Sequence, residues 1–82
     1  MQKTVELGPV AYRWLLRHRF VSEEVIIGIV LHCPISDRKY LNENEFQIPF
    51  RRRKNKNLVE IIVWVKETSL RFYVYKLHSR RV

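Results

Sequence analysis

Two hydrophobic periodicities divide the chain near residue 36. Before it, apolar residues recur at helical spacing or crowd together; after it, they alternate with polar residues. Residues 1 to 7 read as a short strand or a frayed end, and Gly8-Pro9 then punctuates the chain. Proline suits the first turn of a helix, where its missing N–H has no partner to lose. From residue 9 to about 19, Val10, Ala11, Trp14 and Leu15 fall on one helical face, with Arg13 and Arg17 four apart on another. His18-Arg19 place cations where the dipole of the helix end favours them.

Ser22-Glu23-Glu24 is the clearest helix start: a serine to cap free N–H groups, then two acids in the first turn. Val25 to Leu31 is apolar on nearly every side and rich in β-branched residues, so periodicity alone leaves a strand open. The cap and the acidic turn decide for a helix over 22–33, ended by Pro34 and buried centrally.

Beyond residue 36, Arg38-Lys39-Tyr40-Leu41 is a short strand candidate, and Asn42 to Glu45 a polar turn. Phe46, Ile48 and Phe50 alternate with Gln47, Pro49 and Arg51, so one face of that strand is buried. Pro49 cannot donate to a ladder, which points to an edge or a bulge. Residues 53–57 turn the chain into the strongest strand, 58–65, with Val59, Ile61, Val63 and Val65 on one face and Leu58, Glu60, Ile62 and Trp64 on the other. Residues 70–77 place Leu70, Phe72 and Val74 on the core face and Arg71, Tyr73, Tyr75 and Leu77 opposite. Short turns imply antiparallel neighbours. The expected fold is therefore α+β: two N-terminal helices packed on one face of a three- to four-stranded antiparallel sheet, in a single basic domain spanning residues 1–82.

Charge changes this picture most. The 82 residues carry 16 Lys+Arg against 8 Asp+Glu, a formal net charge of +8. That balance favours a polyanion or an acidic protein as partner. With 46% hydrophobic residues the chain is too apolar for disorder. Cys33 is the only cysteine, which rules out an internal disulfide and fits a reducing, cytoplasmic setting. No apolar run is long enough to span a bilayer, and the N-terminus lacks the apolar core of a secretory signal, so no membrane role is expected.

Basic and aromatic residues interleave late in the chain. Arg51, Arg53 and Lys54 lie in the run between two strands, Tyr73 lies in the last strand, and Arg80 and Arg81 close it. Cations meet phosphates and rings stack on bases, so these residues are the expected nucleic-acid-binding set, with RNA favoured over DNA. Within a strand Arg51 and Arg53 face one side and Arg52 the other, so the run is not one surface. A solvated hairpin tip or edge protection explains the same charges without a ligand. Trp14 and Trp64 read as core residues rather than ligand contacts. There is no Gly-rich phosphate loop, no Ser/His/Asp set and no paired-carboxylate signature. His32 beside Cys33 is too little for zinc. Neither a cofactor nor a metal is expected.

The order of elements resembles that of the RelE/ParE-like toxin superfamily. The resemblance rests on Arg17-His18-Arg19-Phe20-Val21-Ser22-Glu23-Glu24-Val25, a basic helix end followed by a capped acidic helix start. It extends to the strands Ile61–Val65 and Leu70–Val74. It implies a metal-independent endoribonuclease, in which His78, Tyr75 and Arg71 are the catalytic candidates and a small acidic antitoxin-like protein is a partner. In such chemistry the 2′-OH attacks its own phosphate while one group takes a proton, another gives one, and arginine meets the developing charge. Two rival readings stand beside it: a non-catalytic nucleic-acid-binding module, and a protein-interaction domain using a sheet edge. Homodimer formation is open.

Overall fold

The computed structural model describes residues 3–82, arranged as one sheet with two helices on one of its faces. The N-terminal segment forms β1 (Thr4–Leu7); Met1 and Gln2 of the expected 1–7 strand lie outside the described residues. Helix α1 (Pro9–Arg17) starts on its proline and buries Ala11, Trp14 and Leu15. His18 ends it by stacking on Trp14, ring centroids 4.0 Å apart. Helix α2 (Glu23–His32) is capped by Ser22, whose Oγ accepts the Val25 N–H at 3.3 Å. Only Ile26 and Val30 of α2 are fully buried, so it is a surface helix rather than the enclosed central one its composition suggests. A two-layer domain of this size has nothing to put on a helix's outer side.

A short 3-10 turn, Ile35–Asp37, leads into β2 (Lys39–Tyr40), β3 (Glu45–Lys54), β4 (Asn57–Glu67) and β5 (Arg71–Arg81). The β3–β4 hairpin closes with Lys54 opposite Asn57, and Asn55 takes φ 57°, a left-handed conformation that asparagine tolerates. The sheet order is β1-β5-β4-β3-β2.

This corrects the expected sheet. It has five strands rather than three or four, and it is mixed rather than antiparallel, because β1 runs parallel to β5 with Thr4 beside Arg71 and Leu7 beside Val74. Short turns do force antiparallel neighbours, and β2 to β5 obey that. The first strand is different: it meets the last only after both helices have crossed the sheet, a pairing no local pattern encodes. Burial of Val5 and Leu7 against the core holds it there.

The core lies between the helices and the face carrying Phe46, Ile48, Ile61, Val63, Val65, Phe72, Val74 and Leu77. The helices cover only part of that face. Every residue from Arg51 to Leu58 is exposed, so the hairpin projects beyond them.

At the other end Arg38 is half-buried, its guanidinium carbon 4.6 Å from the Phe46 ring centre and 5.3 Å from that of Phe72, with Glu67 and the Tyr40 hydroxyl as partners. Lys3 also pairs with Glu67.

Candidate nucleic-acid interface

Among the described residues no helix covers the opposite sheet face, and one irregularity decides what it displays. Trp64 pairs with Lys76 and Val65 with Val74, leaving Tyr75 as an extra residue in β5. Such a bulge reverses the alternation of side chains beyond it. Leu77 therefore turns into the core, 4% exposed, against its expected outward position. Lys76, His78 and Arg80 turn outward opposite Trp64, Ile62 and Glu60.

The open face then reads as rows across β3, β4 and β5, with strands ~4.8 Å apart. Arg53 faces Leu58 at the tip. Next come Arg51, Glu60 and Arg80; then Pro49, Ile62 and His78; then Gln47, Trp64 and Lys76. Glu45, Lys66 and Tyr73 form the following row, continued by Glu6 of β1, and Arg71 lies beyond beside Thr4. Ile62, Trp64, Tyr73 and Tyr75 are half-buried and make an apolar strip down the middle. Gly8 lets the Tyr73 ring lie flat at the strip's end, since a Cβ there would collide with its hydroxyl. Lys76 sits over the Trp64 ring, its Nζ 4.7 Å from the centre.

Three carboxylates on this face change the electrostatics. Glu6 pairs with Arg71, and Glu60 receives Arg80 Nε at 2.8 Å. Residues 68–82 contain no acid, but folding brings these two across from β1 and β4. The cations left without a carboxylate in the pairs of this face are Arg51, Arg53, Lys66 and Lys76, among the described residues. Glu45 is engaged differently: the Tyr75 hydroxyl donates to its Oε2 at 3.0 Å.

Burial pushes the Tyr75 phenol up to about 12, helped by its hydrogen bond to Glu45 and by that residue's negative charge. At neutral pH it stays protonated and its proton is committed to Glu45. The folded state thus holds this proton more tightly than the unfolded chain does. The associated stability is complete below the ordinary phenol value near 10 and is lost as pH rises from there to about 12. Tyr75→Phe should therefore remove the alkaline loss of stability in this window. Denaturant unfolding of both proteins between pH 9 and 12 measures it, and parallel pH curves would contradict this assignment.

Of the residues singled out from sequence, Arg51, Arg53, Arg71, Tyr73, Tyr75, His78 and Arg80 share this face. Lys54 and Arg81 do not. Lys54 lies on the helix side, its Nζ 5.3 Å from the Phe20 ring centre, and Arg81 pairs with Val59, whose side chain faces the helix layer. The catalytic candidates do not converge. At ~3.3 Å per residue along β5, His78 and Arg71 lie roughly 20 Å apart and His78 and Tyr75 roughly 10 Å. Groups acting on one phosphodiester must each reach it within hydrogen-bonding distance. Trp64, Lys66 and Lys76 are the site residues that sequence reasoning passes over. Trp64 carries a signal, since it alternates in phase with Glu60 and so belongs to the more polar face.

Among the described residues no cluster of His, Cys, Asp and Glu has the makings of a metal site. The Cys33 thiol, raised by partial burial, donates to the Pro34 carbonyl at 3.4 Å. Among the described residues no helix is long and apolar enough to cross a membrane. Comparison with protein families, with curated proteins and with solved structures finds no match to this chain.

Proposed function

We propose that the open sheet face binds single-stranded nucleic acid, RNA in preference to DNA, without cutting it. The observation that carries this reading is the half-buried strip of Ile62, Trp64, Tyr73 and Tyr75 bordered by Arg51, Arg53, Lys66 and Lys76, cations without a carboxylate partner among the described residues. Bases stack on rings at about 1–3 kcal/mol each, and the cations follow the backbone. A contiguous apolar patch rimmed by polar residues marks an interaction surface. Binding is favoured over cleavage because the Tyr75 hydroxyl is held by Glu45 and Arg71 by Glu6, so two of the three catalytic candidates are already engaged. The likeness to RelE/ParE-like toxins supplies a class of partner, RNA, and nothing further in this reading depends on it.

The test is a titration of the protein with a short single-stranded RNA, followed by tryptophan fluorescence. Quenching is expected in the native protein and largely lost in Trp64→Phe, because Trp14 lies on the buried face of α1. The logarithm of affinity should fall linearly with the logarithm of salt concentration, by ~0.7 per phosphate contacted. The RNA should be recovered intact. Affinity that is absent, or indifferent to salt, rejects the proposal. Shortened RNA, dependent on His78, would restore the ribonuclease reading.

A further inference from the structure

A second surface lies along the outer edge of β3. Strand β2 pairs only with Phe46 and Gln47, and among the described residues no strand lies on the side of β3 away from β4 from Ile48 to Lys54. In an antiparallel strand alternate residues turn both backbone groups to the same side. The Glu45 carbonyl accepts from Leu41, so Glu45 and every second residue after it face outward. The edge thus offers the carbonyls of Pro49, Arg51 and Arg53 and the N–H groups of Arg51 and Arg53. Pro49 has no N–H to give, which is why a proline is tolerated there.

Beside the edge, where the chain leaves α2 for β2, is a groove of about 570 Å³. Ile29, Pro34, Ile48 and Phe50 supply apolar walls, with Arg38 and Lys39 at one end. The Arg38 side chain is only 10% exposed, and its Nε is buried without a hydrogen-bond partner. An edge of this kind invites a sixth strand.

Charge selects the occupant. Lys39, Arg51, Arg52, Arg53 and Lys54 crowd the edge, and Asp37 is the one acid of the groove lining. A second copy of this chain, at +8, would bring like charge onto like charge. We infer that β3 is a docking edge for an extended acidic segment of a partner protein. The segment would pair by backbone with Pro49–Arg53, set its carboxylates against the arginines and Lys39, and lay apolar side chains into the groove. This edge shares Arg51 and Arg53 with the nucleic-acid site but not its apolar strip of Trp64, Tyr73 and Tyr75, so Trp64→Phe tells the two proposals apart.

The probe is a synthetic peptide alternating glutamate with valine, added to the whole protein. Amide hydrogen exchange by NMR reads the edge directly. The Arg51 and Arg53 amides should exchange rapidly in the free protein and become at least about tenfold slower with the peptide bound, since they gain ladder bonds. The Arg52 amide, already paired with Val59, should change little. Arg51→Pro should bind the peptide about fivefold more weakly than Arg51→Ala, the equivalent of one net backbone hydrogen bond. Its N–H lies outside the β3–β4 ladder, so the fold should survive. Trp64→Phe should leave peptide affinity unchanged. No binding up to millimolar peptide, or binding without protection of Arg51 and Arg53, overturns the inference. So does protection of these amides by RNA but not by the peptide.

Discussion

Ile61→Ala is expected to lower the unfolding free energy by about 2–5 kcal/mol, and its neighbour Ile62→Ala by a small fraction of that. The two side chains differ by one position in β4 and by the whole thickness of the sheet. Ile61 is 0% exposed in the core, among Phe46, Val63 and Val65. Truncating it leaves a cavity that packed neighbours cannot fill. Ile62 is half-buried on the open face, where water fills whatever is removed. A domain of this size has only some 5–15 kcal/mol in hand, so Ile61→Ala consumes a large share of its stability. Urea unfolding of the two variants, at two protein concentrations, measures the contrast. Equal losses at both positions would mean that the open face is covered in solution, and a dependence on concentration would identify the cover as a second copy.

Replacing Arg51 and Arg53 together with alanine should weaken RNA binding and reduce its salt slope by ~1.4, which is ~0.7 for each phosphate of a single strand that no longer meets a cation. Arg71→Ala should change the slope far less, because Arg71 already faces Glu6. The same reasoning predicts a gain. Glu60→Gln removes the charge that holds Arg80, freeing a guanidinium in the row that also contains Arg51, and binding should tighten. Fluorescence titrations over a series of salt concentrations separate these outcomes. A salt slope equally sensitive to Arg71 and to the Arg51/Arg53 pair would show that the carboxylates do not partition the cations as described. Weaker binding by Glu60→Gln would place the RNA elsewhere on the protein.

Much of the site is legible in the amino-acid sequence. The alternation of Phe46, Ile48 and Phe50 with polar residues assigns the two faces of β3 unaided, and with them the split of Arg51 and Arg53 from Arg52, though not the place of Lys54 on the helix side. Glu60 and Trp64 mark one face of β4 in the same way. These inferences succeed because side-chain direction in a strand is a local property with a period of two. Two features are not legible there. The carboxylates that neutralise Arg71 and Arg80 come from β1 and β4, and partnership across strands depends on register. The direction of every side chain after Tyr75 depends on a bulge that nothing in Tyr73-Val74-Tyr75-Lys76 announces.

Sequence by itself determined the elements: a proline-started helix, a serine-capped helix, a polar hairpin turn, and strands whose apolar residues alternate. Each follows from interactions within a few residues, where spacing and capping chemistry suffice. Tertiary structure decided the rest. It carried β1 across the domain to lie parallel to β5, and inserted Tyr75 as an extra residue that sends Leu77 into the core and Lys76, His78 and Arg80 to the open face, whereas the open edge of β3 was already signalled by Pro49. Burial accounts for the bulge: it lets Phe72, Val74 and Leu77 all reach the core, although uninterrupted alternation would expose the last. Avoiding the exposure of a leucine is worth about 1.5–3 kcal/mol, a term that exists only once a core is present to receive it.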